Sequence, residues 1–262
     1  YFKKSGFSKA TLGLSGGIDS AVSLAIAAKA LGSANLHVLL MPSQYSSDHS
    51  VSDSVEMADI LGVKYDILSI NALFDQFTNI LQPVFDNKPE NVAEENIQSR
   101  IRATLLMALS NKHGHILLNT SNKSEMAVGY GTLYGDMAGG LSVLGDVYKK
   151  DIYALARHIN KDGVIIPWNI INKPPSAELK PDQKDADSLP EYEVLDEILK
   201  LYIEKQLSVE QITAEGFEKP ITEKIIRMVN INEYKRYQTP PILRISSKAF
   251  GVGRRIPIVG RY

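Results

Sequence analysis

The sequence predicts an α/β domain, a doubly wound parallel sheet with flanking helices, followed by C-terminal helices. Three observations carry this. Apolar runs of strand length recur at 11–14, 36–41, 64–70 and 115–120. Longer segments with helical spacing or composition lie between them. The first strand passes into the first helix through a glycine pair, in Ser15-Gly16-Gly17-Ile18-Asp19-Ser20.

The elements follow in order. Thr11-Leu12-Gly13-Leu14 reads as a short buried strand. Residues 20–31, rich in alanine and leucine and ended by Gly32, read as a buried helix. Residues 36–41 form a second strand closed by Pro42, and 48–61 a second helix stopped by Gly62. Residues 64–70 are a third strand. A long helix over 92–112 carries Ile97, Ile101, Leu105 and Leu109, recurring every four residues on one face. Residues 115–120 are a fourth strand. The pattern then changes. Residues 129–146 are glycine-rich, and 163–190 carry Pro167, Pro174, Pro175, Pro181 and Pro190 among charged residues. Both stretches suggest long functional loops rather than a second core. Residues 191–206 and 218–237 return as helices, and the Gly- and Arg-rich tail 246–262 stays unassigned. A single domain over 1–262 is expected.

With 262 residues, 44% of them apolar, the chain can bury a sizeable core. Its 29 basic and 30 acidic residues are well mixed, so no long-range field favours nucleic acid or an anionic membrane. An anionic ligand must therefore be recognised locally. No apolar run approaches the ~20 residues that span a bilayer, and Tyr1-Phe2-Lys3-Lys4 lacks the apolar region of a signal peptide. A cytoplasmic setting is expected. The absence of cysteine excludes disulfides, thiolate zinc sites and a cysteine nucleophile on this chain. Because the sequence starts at Tyr1 rather than methionine, a preceding domain stays open.

The glycine turn carries the first chemistry. Glycines between strand and helix let the backbone approach a ligand closely, and the first helical amides favour an anion. A phosphate is the natural occupant. The spacing matches neither GxxxxGK[ST] nor GxGxxG, and no lysine sits in the turn. Asp19 beside a polyphosphate would repel it unless a divalent cation lay between them. Magnesium fits, since it commonly takes one or two carboxylates together with substrate phosphates. Read as local structure alone, Asp19 would instead cap the helix.

Ser-Gly-Gly-Ile-Asp-Ser resembles the pyrophosphate-binding loop of the N-type ATP pyrophosphatases. Further segments occur in the order seen in one branch of them: Glu95–Arg102, Leu118–Glu125, Tyr134-Gly135-Asp136 with Gly139-Gly140, Asp146–Lys149, Lys173–Leu179 and Tyr234-Lys235-Arg236. In that order they resemble the NAD synthetases over nearly the whole chain. Asp182-Gln183-Lys184-Asp185 with Ser188-Leu189-Pro190, and Ser247–Gly251 with Arg254-Arg255, are most similar to the synthetase portion of the glutamine-dependent branch. The resemblance implies an adenine nucleotide alpha hydrolase-like fold. It also implies an ATP-dependent C–N ligase: deamido-NAD is adenylated, then attacked by ammonia, giving NAD with release of AMP and pyrophosphate. A homodimer or larger oligomer is implied too, because the family's dinucleotide site lies across a subunit interface. In that branch a glutaminase domain precedes the synthetase, and this chain has neither its cysteine nor room for it.

Carried over residue by residue, the resemblance implies ATP contacts at Gly13, Leu14, Ser15, Gly16, Gly17, Ile18, Asp19, Ser20, Thr120, Lys149 and Ser176. Asp19, Ser20 and Lys149 are the implied catalytic residues. Magnesium falls to Asp19 and Glu125, and deamido-NAD to Asn96, Arg100, Glu125 and Lys235. Asn96 and Arg100, four apart, share one helix face. Glu125 alone would also read as a first-turn glutamate favoured by the helix dipole. Two departures restrict the transfer. Leu133 stands where the ammonia-only branch has a lysine, and Ala186 where the glutamine branch often has an acid. Trp168 and the tyrosines read as packing residues, with Tyr130 a stacking candidate. His113 and His115 flank Gly114 at a turn and read as solvated rather than metal-binding. Two alternatives stay open: another enzyme of the loop class, such as a GMP synthetase or tRNA-thiolating enzyme, or a silent nucleotide-binding module. The even charge counts against tRNA, and a second carboxylate at Glu125 counts against a silent module.

Overall fold

After one helical turn, α1 (Phe2–Ser5), the chain enters β1 (Ala10–Gly13), in which Ala10, Thr11 and Leu12 are fully buried. Burial on both faces requires the continuous apolar run read from the sequence, and it places β1 at the centre of the sheet. The chain continues through α2 (Ile18–Leu31), β2 (Leu36–Leu40), α3 (Asp48–Leu61), β3 (Lys64–Ile67), α4 (Asn71–Leu81), α5 (Val92–His113) and β4 (Ile116–Asn119). There follow α6 (Lys123–Val128), β5 (Leu141–Ser142), α7 (Lys149–Ile159), α8 (Trp168–Asn172), α9 (Tyr192–Ile203), α10 (Val209–Ala214), α11 (Lys219–Ile231) and α12 (Glu233–Arg236). The structure, a computed structural model, describes residues 1–181 and 183–258, so Asp182 and the last four residues of the tail lie outside the described residues.

The five strands run in the order β3-β2-β1-β4-β5, and every pair is parallel. Ala10 is the register partner of both Leu36 and Ile116. Chain order therefore reverses between β1 and β4, and open parallel sheets bind ligands at the carboxyl ends of strands flanking such a reversal.

Alternate strand residues feed two cores, one on each sheet face. Leu36, Val38 and Leu40 join Leu12, Leu24, Met57 and Ile152 on the side of α2, α3 and α7. Leu39, Met41 and Leu117 meet Phe74, Ile97, Ile101 and Leu106 on the side of α4 and α5. The doubly wound arrangement thus follows from the period-two pattern; of the long helix's stripe Ile97 and Ile101 are buried, whereas Leu105 and Leu109 are half-buried and Leu106 is buried in their place. A third core joins Met126 and Val128 of α6 to α9 and α11.

Several local readings change. The 129–146 stretch contains β5, whose two residues pair with Leu118 and Asn119 and are too few to show a period. The 163–190 stretch contains α8, and α4 lies where no element was expected, with Phe74 its one buried residue. The helix expected over 218–237 breaks at Asn232, whose carboxamide donates to Val128 O at 2.8 Å and to Met228 O at 2.9 Å. Trp168, read as a packing residue, is 49% exposed. Among the described residues no helix is long and apolar enough to cross a membrane.

Candidate functional site

A cavity of about 290 Å³ opens at the carboxyl ends of β1, β2 and β4, where the chain order reverses. Its floor is the turn from β1 into α2. Gly16 adopts φ +75°, and a Cβ on it would lie 2.4 Å from the carbonyl oxygen of Ser50 at the start of α3. Only glycine fits there. Gly17 is the N-cap of α2 and supplies no side-chain cap, and the first helical bond runs from Ala21 N to Gly17 O at 3.1 Å. The amides before it therefore have no helical partner. The turn braces itself: Ser20 Oγ donates to Gly17 O at 2.9 Å and accepts from Ser15 N at 3.2 Å, and Ser15 Oγ accepts from Gly17 N at 3.3 Å. The result is a rigid, uncapped helix N-terminus facing the cavity, which suits an anion.

Two further helix starts meet it, that of α6 through Asn122, which is fully buried, and that of α7 through Lys149. Asn122 caps α6, its Oδ1 accepting from Glu125 N at 2.9 Å while Glu125 Oε2 accepts from Asn122 N at 3.4 Å. The other end of the same carboxamide donates from Nδ2 to Asp19 Oδ1 at 2.9 Å. One side chain thus fixes Asp19 relative to Glu125. Lys149 opens α7, and its Nζ lies 2.5 Å from Asp19 Oδ2 and 3.3 Å from Glu125 Oε1. The start of α7 is held in turn. Ser124 Oγ accepts from Lys149 N at 2.9 Å and donates to Asp196 Oδ1 of α9 at 2.5 Å, and Lys150 N donates to Asp196 Oδ2 at 2.9 Å. Asp185 completes the acidic wall, accepting from Tyr192 Oη at 2.8 Å and from Tyr130 Oη at 3.2 Å.

The electrostatics follow from this crowding. Burial pushes Glu125 above the ordinary glutamate value; Lys149 pulls the other way, while the carboxylates of Asp19 and Asp185 add to the rise. Burial opposes the charge on Lys149, but Asp19 and Glu125 more than offset it and raise the ammonium above its ordinary value. Burial also raises Asp196 to about 6, against the hydrogen bonds from Ser124 and Lys150 N.

Gly13, Leu14, Ser15, Gly17, Ile18, Asp19, Ser20, Thr120, Glu125, Lys149 and Ser176, all singled out from the sequence, line this cavity. Gly16 abuts α3 instead. Ser176 is engaged within its own loop, its Oγ donating to Gln183 O at 2.6 Å and accepting from Glu178 N at 3.1 Å. Asn96, Arg100 and Lys235 stand apart from the cavity and gather around the 129–133 segment. Asn96 Oδ1 accepts from Thr132 Oγ1 at 2.7 Å, and Arg100 Nε donates to Leu133 O at 3.2 Å. Lys235 Nζ donates to Gly129 O at 2.7 Å and Gly131 O at 2.8 Å. Tyr130 bridges the two groups, lining the cavity while bonded to Asp185.

Sequence reasoning missed Asn122, Asp196 and Arg102. The Asn122-x-x-Glu125 spacing is a legible capping-box signal, but the bond to Asp19 is not local. Arg102 lines the cavity, donating from Nε to Met41 O at 3.0 Å, and burial holds its guanidinium down to about 10. Among the described residues no group of three or more histidine or acidic side chains is arranged to hold a metal. His113 and His115 lie beside His37, with ring centroids 5.6 to 6.4 Å apart. Asp19 and Glu125 therefore offer a hard divalent cation two carboxylates beside an anion-binding helix start. That donor set fits magnesium shared with phosphates.

A family model described as NAD synthase matches residues 1–239. The chain belongs to the NAD synthase family. Among its relatives in this family is the glutamine-dependent NAD(+) synthetase of Acinetobacter baylyi, 52% identical over 261 residues, covering 99% of this chain and 48% of the relative. That of Synechocystis is 51% identical over 258 residues, covering 98% and 46%. The chain spans about half the length of the curated relatives it matches. A solved NH3-dependent NAD synthetase from Campylobacter jejuni, in complex with the nitrate ion, superposes with a TM-score of 0.71 at 30% identity and covers 92% of each chain. The glutamine-dependent NAD+ synthetase of Acinetobacter baumannii, solved in complex with ADP, superposes with a TM-score of 0.66 at 47% identity, covering 99% of this chain and 47% of that one.

Proposed function

We propose that this NAD synthase chain catalyses the ATP-dependent amidation of deamido-NAD to NAD. The observation that carries the reading is the meeting of the uncapped start of α2 with Asp19, Glu125 and Lys149 in one cavity. In the first step a nicotinate carboxylate oxygen attacks the α-phosphorus of ATP, and the bond to pyrophosphate breaks. In the second, ammonia attacks the carboxyl carbon, the bond to AMP breaks, and a proton leaves the nitrogen. Both steps depend mainly on charge neutralisation and alignment.

Residues 13–20 would cradle the β- and γ-phosphates, with Ser15 and Ser20 fixing the turn. Lys149 would take a phosphate oxygen as a compact charge, and Thr120 and Ser176, which line the same cavity, would contact ATP. Asn96, Arg100, Glu125 and Lys235 would receive deamido-NAD. Asp19 and Glu125 would hold magnesium, which when bound supplies positive charge to the pyrophosphate leaving group. We place the chain in the cytoplasm as part of a homo-oligomer. The names of the curated relatives and the missing half of their length support a glutaminase domain as the source of ammonia in the whole protein.

The test incubates the chain with ATP, magnesium, deamido-NAD and ammonium, and measures NAD together with AMP and pyrophosphate. All three are expected, and glutamine should not replace ammonium on this chain. Turnover of xanthosine monophosphate or a tRNA instead, or nucleotide binding without turnover of any substrate, overturns the reading. Asp19→Asn should lower turnover by roughly two orders of magnitude or more with the fold intact. Activity near wild type at saturating magnesium would refute the metal role.

A further inference from the structure

The two carboxylates assigned to the cation already share one. Lys149 Nζ lies 2.5 Å from Asp19 Oδ2 and 3.3 Å from Glu125 Oε1, and the lysine side chain is only 3% exposed. Magnesium bonds oxygen at ~2.0–2.1 Å. A divalent cation taken up by these two carboxylates would need the space and the negative charge that the ammonium now occupies, so the two compete.

Where a displaced ammonium can go decides when displacement happens. Its backbone is pinned by Ser124 Oγ, and the Tyr192 ring lies 5.3 Å from Nζ. The ring offers only its π face, and the other carboxylate of this wall, Asp185, already accepts from Tyr192 and Tyr130, so a displaced ammonium is left short of an acceptor. The uncapped start of α2, one residue from Asp19, is where phosphates would supply that acceptor. Resting on the magnesium and ATP assignments above, we propose that Lys149 competes with the divalent cation for Asp19 and Glu125, so that the chain takes the metal tightly only together with nucleotide phosphates that accept the displaced ammonium. Metal and nucleotide affinities are then coupled, and the coupling is reciprocal.

Electron spin resonance of free Mn²⁺ tests this, titrating the 262-residue chain with and without ATP in the absence of deamido-NAD and subtracting the Mn²⁺–ATP complex measured in a protein-free control. Lys149→Met is expected to raise nucleotide-free Mn²⁺ affinity about tenfold and to reduce the gain on adding ATP. Lys149→Gln, with folding checked by circular dichroism, supplies the same readout should the methionine variant misfold. Lys173→Met removes a charge from the same cavity, 3.0 Å from Glu178 rather than between Asp19 and Glu125, and should change the nucleotide-free affinity by less than about twofold. If both Lys149 variants bind Mn²⁺ as wild type does, or Lys173→Met raises affinity as much as they do, the competition is refuted. Asp19→Asn separates the two layers. Loss of Mn²⁺ binding with ATP keeps the metal assignment even where the competition fails, whereas unchanged binding removes the assignment and the competition with it.

Discussion

Asn122→Asp tests whether Asp19 is held by the α6 cap. Aspartate caps a helix about as well as asparagine, so the acceptor for Glu125 N at 2.9 Å is kept. The donor to Asp19 Oδ1, also at 2.9 Å, becomes a carboxylate oxygen. A hydrogen bond to a charged acceptor contributes about 1.5–3 kcal/mol, and at this fully buried position its loss is joined by repulsion between like charges. If that loss falls on the orientation of Asp19 in the transition state, turnover drops by at least ~10–100-fold, at 1.36 kcal/mol per factor of ten. The assay is NAD formation at saturating ATP, magnesium and ammonium, with circular dichroism to confirm that the fold survives. Turnover within about threefold of wild type in a folded variant would refute the orienting role.

Two further outcomes concern the frame. Lys123 is fully buried, 2.8 Å from Asp146 and 2.9 Å from Glu204, and bonds Ser246 Oγ and Lys248 O in the tail. Lys123→Met should cost about 3–5 kcal/mol by stranding two carboxylates and lower Tm by roughly 6–20 °C; a loss under ~1 kcal/mol in thermal unfolding would contradict the pairing. Asp196, raised by burial to about 6, binds a proton in the folded state between pH ~4 and ~6 while the unfolded chain does not. Its contribution to stability therefore falls as pH rises through that window and stays low above it. Asp196→Asn removes this slope, so denaturant unfolding should show the variant gaining on wild type from pH 4.5 to 6.5 by on the order of 2 kcal/mol; parallel curves would refute it.

The sheet was legible because its signal is local. Apolar runs such as 36–41 show a strand in their own composition, and Ile97 and Ile101 mark the face that α5 buries in its first half. The glycine turn from β1 into α2 was legible for the same reason, since glycines, hydroxyls and Asp19 lie within six consecutive residues. What stayed hidden depends on contacts between distant segments. Asn122 and Asp19 are 103 residues apart in the chain, and nothing in either neighbourhood requires the other. Arg100 and Arg102 illustrate the limit of spacing. Two positions apart on a helix they point roughly 200° from one another, so one meets the 129–133 segment and the other lines the cavity, yet the pattern Arg-Ile-Arg does not say which. β5 escaped because a two-residue strand in a glycine-rich stretch carries no period.

The residues around the 129–133 segment support the dinucleotide reading through the hydrogen-bonding capacity they leave unused. Asn96 uses its carbonyl oxygen as an acceptor for Thr132, which leaves its NH₂ group. Among the described residues Arg100 engages only through Nε, leaving both terminal nitrogens of its fork. Lys235 directs two of its three N–H bonds to the carbonyls of Gly129 and Gly131, which leaves the third. Apart from the second lone pair of Asn96 Oδ1, the remaining capacity is donor capacity, presented beside a segment whose position these same side chains fix. Such a face suits a ligand rich in acceptors, as a carboxylate joined to a dinucleotide is. It would repel a cation and give nothing to an apolar partner. The three residues thus brace the segment with one set of bonds and present donors with another. Removing Lys235 would disturb both, which makes loss of affinity at this position a measure of the segment's order as well as of a direct contact.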